Sequence, residues 1–382
     1  MRPATAIPKT SATQITTILR RPLNGRLGEP YRLATLEGGA SSVDGFGAGC
    51  WVFIPSSLCP FAGRLIAAPA SIEEQVIVEE ARVVPVPPSE GFRLLAVHAH
   101  PDDESSKGAA TMAAYAAAGA RVMVASCTGG ERGDILNAKA GELAHAHRDL
   151  AGLRRKEMAE AAAALGIEHR WLGYVDSGLP EGDPLPPLPH ASFATQPVGR
   201  ASVPLVKLIR EFRPHVVTTY DENGGYPHPD HIMTHKVTME AVEAAADPER
   251  YPELGEPWQV PKLYYDRAFS PDRFRTLHYA MEENGIESPY AERIKAFEEH
   301  PDEEMFRWVK HHETTTQIAC ADYFDARDRA LLAHRTQIDP DGFFFAVPTA
   351  IFQKYWPWED FVLISSQVET QTPETDLFAG LR

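Results

Sequence analysis

From Gly91 onward the sequence predicts an α/β fold: a mostly parallel sheet with helices on both faces and a site at the carboxyl ends of its strands. Three observations carry this. Short apolar runs alternate with longer alanine-rich or amphipathic stretches, the pattern of repeated strand–helix crossovers. Gly and Pro punctuate the junctions. Two of the apolar runs, Phe92 to Val97 and Val216 to Tyr220, are each followed by a cluster of His and Asp, and open sheets of this Rossmann-like kind carry their chemistry beyond the strand ends.

Taken in order, Phe92 to Val97 is the first strand, and Ser106 to Gly119, rich in alanine and closed by glycine, is its crossover helix. Arg121 to Cys127 is the second strand, running into the polar glycine loop Thr128 to Asp134. Gly141 to Leu165 reads as one long helix with charges on one face and Leu, Met and Ala on the other, stopped at Gly166. His169 to Gly173 is a short strand. The proline-rich stretch Asp176 to Pro197 is too long for a simple connection and is a candidate substrate-facing lid. Val203 to Phe212 is helical, His215 to Tyr220 is the next strand, Ile232 to Ala246 is a helix, and Lys262 to Tyr265 is expected as an outer strand. Residues 271 to 312 read as charged surface helices and Asp325 to His334 as one more. The aromatics Phe343 to Phe345, Trp356 and Trp358 suit a core or a subunit contact rather than a ligand cage. Residues 1 to 90, which exit through Pro85, Pro87 and Pro88, form an N-terminal extension of unknown role; residues 91 to 382 form the domain that carries both clusters.

A chain of 382 residues with 43% hydrophobic content can bury a large core. Its net charge of −16 argues against nucleic acid or an anionic membrane as partner, because both require a basic footprint. A small neutral or weakly charged substrate fits better. Cys50, Cys59, Cys127 and Cys320 show neither thiolate-zinc nor disulfide spacing. No apolar run is long enough to span a bilayer, and the basic start lacks the apolar core of a secretion signal. A cytoplasmic location is therefore expected, and nothing in the sequence sets the oligomeric state.

The first cluster is His100-Pro101-Asp102-Asp103-Glu104 and the second is Tyr226-Pro227-His228-Pro229-Asp230-His231. His100 and Asp103, three apart on a turn, can converge on one cation while Asp102 points elsewhere, and His231 can add a third ligand. Two imidazoles, one carboxylate and an open position are the donor set of a catalytic zinc site, with a place left for water. Asp102 is then free to act as general base, and His228 to stabilise an oxyanion or protonate a leaving amine. A single histidine at a strand end is ordinarily a surface or hydrogen-bonded residue, and either Asp could cap the next helix. The two clusters, each behind an apolar strand, are what favour the metal.

Together the clusters resemble the paired motifs of the LmbE-like, or PIG-L, family of zinc-dependent N-deacetylases, over about residues 91 to 365. The resemblance implies that His100, Asp103 and His231 hold Zn2+, with Fe2+ the alternative, that Asp102 is the general base, that His228 assists the tetrahedral intermediate and that Tyr226 contacts it. The longer strings Ala99 to Gly108, Cys127 to Leu136, Val175 to Pro180 and Tyr220 to His231 are similar to the family branch that acts on mycothiol S-conjugates. That implies cleavage of the amide between an S-substituted N-acetylcysteine and glucosaminyl-inositol, releasing a mercapturic acid in thiol-based detoxification. Deacetylation of N-acetylglucosaminyl-inositol is the alternative, and a carbohydrate-binding protein without chemistry a third; the retained Asp102 speaks against the last. Candidate substrate contacts are Lys107, expected on the pocket rim unless it is an ordinary solvated lysine, and Glu131, Arg132 and Asp134 of the glycine loop.

Overall fold

The structure, a computed structural model, describes residues 84–142, 144–299 and 312–382, so most of the expected extension lies outside the described residues. Among the described residues seven strands form one sheet: β1 (Arg93–His98), β2 (Arg121–Thr128), β3 (Glu168–Tyr174), β4 (Val216–Thr219), β5 (Lys262–Asp266), β6 (Thr316–Ala319) and β7 (Trp358–Ser366). Their order is β3-β2-β1-β4-β5-β7-β6. The strands β3 to β5 in that row are parallel, and β7 runs antiparallel to both β5 and β6. The chain leaves β1 toward β2 and returns on its other side as β4, so the order reverses at β1/β4. Ligand crevices of open sheets lie at such reversals, and both clusters sit there.

Alternation along β1 supplies two cores. Leu95 and Val97 face one layer with Val217, Leu205, Ile209 and Val237, from the helices Val203–Phe212 and Pro229–Ala246. Leu94 and Ala96 face the other with Met112 and Tyr115 of the helix Ala109–Ala117. Small residues let the helices Leu150–Leu165 and Phe324–Ala333 pack closely on that one, through Ala109, Ala113, Ala161 and Ala330.

Several expected boundaries move, each for a local reason. Ser106 to Gly119 is not one helix: a turn over Asp103–Ser106 ends at an extended Lys107, and Gly108, at φ +72°, redirects the chain into Ala109–Ala117. Gly141 to Leu165 breaks at Asp149, whose carboxylate accepts the Gly152 amide at 2.9 Å and caps a new helix. Lys262 to Tyr265 is interior rather than outer, lying between β4 and β7; the tail residue Glu374 meets the Lys262 ammonium at 2.5 Å and the Tyr264 hydroxyl at 2.9 Å, allowing a lysine to be buried in the sheet. Residues just ahead of 91 make contacts with the sheet and its helices. Val86 lies against the core, and buried Ser89 donates its amide to the Ala118 carbonyl at 2.7 Å. Among the described residues no helix is long and apolar enough to cross a membrane.

Candidate metal centre

β1 delivers His100 and Asp103 just past its end, while the second cluster occupies the start of the helix Pro229–Ala246 rather than the end of β4. Pro229, with its fixed φ and missing donor, suits the first helical position. His228 is thereby the N-cap and His231 lies in the first turn, pointing back at β1.

Asp103 is held from both sides. Its Oδ2 accepts the His100 amide at 3.0 Å and the Tyr220 hydroxyl at 2.7 Å; its Oδ1 accepts the Lys107 ammonium at 2.7 Å. The same Oδ2 faces His100 Nδ1 at 3.5 Å and His231 Nε2 at 3.4 Å. His231 Nδ1 lies 2.9 Å from the Gly224 carbonyl, so it carries the ring proton. Nε2 then presents a lone pair, and it is buried without a hydrogen-bond partner. On His100, Nε2 meets Asp230 Oδ2 at 3.3 Å and Asp176 Oδ1 at 3.6 Å, which leaves Nδ1 toward Asp103. A lone pair on His231 opposed to a carboxylate oxygen at 3.4 Å is repulsive unless a cation lies between. Those three donor atoms therefore fit a metal, with Asp230 and the Gly224 carbonyl orienting the imidazoles behind it.

The ligand atoms of His100, His228 and His231 also lie within 4.8 Å of one another, as do those of His100, Asp176 and Asp230. His228 nevertheless differs in kind. Its Nδ1 accepts the Asp230 amide at 3.1 Å, so in the neutral ring the proton sits on Nε2 and neither nitrogen offers a free lone pair. Asp230 and Asp176 are turned to backbone amides, Asp230 Oδ2 to Ser177 at 2.8 Å and Asp176 to Gly178 and Arg132 at 2.7 and 3.0 Å, while Asp230 Oδ1 is buried without a hydrogen-bond partner.

Electrostatics follow the geometry. Burial alone would lower the His100 pKa, but hydrogen bonds to Asp103, Asp176 and Asp230 hold it well above the ordinary value. Three carboxylates around one imidazole thus demand positive charge, as a proton or as a metal. Burial drives His231 well below the usual range and His228 down to about 4, so His228 is a neutral donor near pH 7.

The family model for PIG-L, GlcNAc-PI de-N-acetylase, matches residues 95–242, the span containing both clusters. The chain is 55% identical over 293 residues to a mycothiol S-conjugate amidase of Streptomyces coelicolor, covering 76% of this chain and 98% of that one. The chain belongs to the PIG-L family. It is 41% identical over 317 residues to a 1D-myo-inositol 2-acetamido-2-deoxy-alpha-D-glucopyranoside deacetylase of Catenulispora acidiphila, covering 78% and 92%. Among solved structures, N,N'-diacetylchitobiose deacetylase from Pyrococcus horikoshii aligns over 71% of this chain and 83% of its own, with 19% identity and a TM-score of 0.47. As a PIG-L member the chain is a hydrolase of the amidase and deacetylase type.

Around this family centre, the other expected residues fall into three groups. Asp102 is beside the candidate donors but turned away: its φ of +120° is a strained value for a residue with a Cβ, costing about 1–3 kcal/mol, and such strain concentrates at functional sites. Its carboxylate, 24% exposed, accepts Arg154 Nη2 at 3.0 Å, and burial pushes its pKa up despite that guanidinium. Tyr226 is half-buried, with its ring 4.6 Å from that of His231. Lys107 is neither on the rim nor solvated; it is buried on Asp103, because the break at Gly108 turns its stem inward. In the glycine loop, Glu131 accepts the Asp176 amide at 3.1 Å and Arg132 Nη1 donates to the Asp176 carbonyl at 2.5 Å, while Asp134 is exposed.

Sequence reasoning assigned no role to Tyr220, Asp176, Arg154 or the Glu104–His334 pair. His334 Nε2 reaches Glu104 Oε1 at 2.6 Å, and Glu104 Oε2 accepts the Asp102 amide at 2.9 Å, so a residue far along the chain braces the strained turn. Arg154 also donates to the Pro101 and Gly130 carbonyls, the latter at 3.0 Å. Nothing distinguishes it from the neighbouring helix charges until the fold brings it under the turn. Asp176 did carry a signal, its place in the string Val175 to Pro180.

Proposed function

We propose that this chain hydrolyses the amide of mycothiol S-conjugates, giving an N-acetylcysteine S-conjugate and glucosaminyl-inositol, in the cytoplasm. The observation that carries the substrate is the 55% identity over 98% of the Streptomyces coelicolor amidase, against 41% over 92% of the Catenulispora acidiphila deacetylase. In this reading His100 Nδ1, Asp103 Oδ2 and His231 Nε2 hold the cation, and Zn2+ suits two imidazoles and a carboxylate, with Fe2+ the alternative. When bound, the metal polarises the scissile carbonyl and acidifies water.

The remaining work belongs to the chain. Asp102, partly open and steadied by Arg154, takes the proton of the attacking water and returns it to the departing amine. His228, its Nδ1 engaged by the Asp230 amide, offers Nε2–H to the developing oxyanion. Tyr226, packed against the His231 ring, contacts the tetrahedral intermediate. Glu131, Arg132 and Asp134 are the proposed contacts to the sugar and inositol hydroxyls. Arg132 and Asp134 are exposed on the same loop, which supports that assignment for them.

The test is a paired assay of the purified protein on a fluorescent mycothiol S-conjugate and on N-acetylglucosaminyl-inositol. A higher kcat/KM on the conjugate is expected. Preference for the acetylated sugar would replace this reading with deacetylation, and turnover of neither would remove the mycothiol assignment.

A further inference from the structure

Among the groups around the centre, the Lys107 ammonium is the one whose presence the proposed chemistry does not require. It is 5% exposed, its Nζ lies 2.7 Å from Asp103 Oδ1 and 3.1 Å from Ser106 Oγ, and aromatic faces of Tyr220 and Phe269 lie within 5.7 and 6.0 Å of it. Orientation of Asp103 does not explain it. The other carboxylate oxygen already accepts the His100 amide and the Tyr220 hydroxyl, and two donors on one oxygen, one of them backbone, fix the carboxylate plane. What Lys107 adds is charge. A fixed positive group one carboxylate away from the donor atoms makes the set His100, Asp103, His231 and Lys107 formally neutral, where the three donors alone would carry −1.

We infer that Lys107 tunes the centre electrostatically: it is a positioning residue for charge, acting through Asp103, that weakens the hold on a divalent cation and keeps that cation electron-poor. The inference rests on the donor set argued above. Coulomb repulsion between a dication and an ammonium buried one carboxylate away is far less screened than between exposed charges. It lowers affinity and, for the same reason, leaves the bound cation a stronger electrophile. Affinity and turnover therefore move in opposite directions when the charge is removed, whereas a loosened site loses both.

Two variants test it. Lys107→Met keeps the length and apolar stem of the side chain and deletes the charge; Lys107→Arg keeps the charge. Zn2+ affinity is read by competition with a chromophoric chelator, and folding of each loaded variant by thermal unfolding. Lys107→Met is expected to bind Zn2+ at least about 10-fold more tightly than wild type while kcat on the amide substrate falls. Lys107→Arg is expected to stay within about 3-fold of wild type in affinity, given retained charge. Unchanged or weaker Zn2+ binding in Lys107→Met would overturn the inference and leave Lys107 a packing residue. A wild-type protein that binds no divalent cation would overturn the metal reading itself, and this inference with it.

Discussion

At the scale of single residues, side chains that look alike in sequence hold different positions at the centre. Asp102 and Asp103 are neighbours, yet one is held in place by Lys107, Tyr220 and the His100 amide while the other is partly open and strained. Asp102→Ala is expected to retain metal and lose kcat by roughly 10²–10⁴-fold, the usual contribution of a positioned general base; loss of metal in that variant would exchange the roles of the two aspartates. Residue identity and spacing made the His100, Asp102, Asp103 and His231 constellation visible in the sequence. Of the partners that fix it, Asp176 stood in the singled-out string Val175 to Pro180 without a role, while Arg154 and His334 reach it only through the fold and lie in segments without any distinguishing pattern.

Secondary-structure elements aim these residues, and the link between β4 and the following helix is the most demanding. Gly224 has φ +74°, its carbonyl holds His231 Nδ1, and a Cβ there would come within 2.5 Å of His231 Cβ and 3.0 Å of the Ile232 amide nitrogen. Gly224→Ala should thus shift the first helical turn, weakening metal binding at least 10-fold and lowering stability by about 1–3 kcal/mol. Metal titration with urea unfolding checks both, and an unchanged metal affinity would show that the turn is slack. Away from the centre, β7 buries Asp360 between Gln317 Nε2 at 2.9 Å and Trp356 Nε1 at 3.1 Å. Burial raises this carboxyl to about 6 despite those donors and the nearby arginines. With its folded pKa above its unfolded one, the folded state binds the extra proton between about pH 4 and 6. Stability from this group therefore grows as pH falls through 6, and the cost of burying the charge is fully present above it. Relative to Asp360→Asn, wild type should gain about 2–3 kcal/mol in urea unfolding between pH 7 and pH 4; a difference independent of pH would contradict the assignment. Although β6 and β7 were not read as strands, the identities of β1 to β5 and of the helices between them were legible from apolar periodicity. The breaks at Gly108 and Asp149 were not, because Lys107-Gly108 and Asp149 lie within runs whose composition is otherwise helical. The interior place of β5 was hidden too, since a strand opening on Lys262 reads as an edge until Glu374 is brought to it.

For the molecule as a whole, the reversal of strand order at β1/β4 turns two distant clusters into one centre, and the C-terminal part locks it through His334 on Glu104 and Thr336 on Glu157. Val86 packs against the sheet core and Ser89 is buried, with Arg382 donating to Ser89 Oγ at 3.0 Å, so residues just ahead of 91 are tied to the domain. A truncation beginning at Val84 is accordingly expected to keep metal binding and kcat within a few-fold, whereas one beginning at Gly91 should lose stability through the severed contacts. Equal behaviour of the two would mean that residues 84–90 contribute nothing to the domain. The central claim is that His231, and not His228, completes the donor set with His100 and Asp103. Metal content of the purified His228→Gln and His231→Gln variants, measured by inductively coupled plasma mass spectrometry after desalting, tests it most directly. The account predicts near-stoichiometric metal with strongly reduced kcat in His228→Gln and an empty site in His231→Gln; an empty His228→Gln beside a loaded His231→Gln would contradict it.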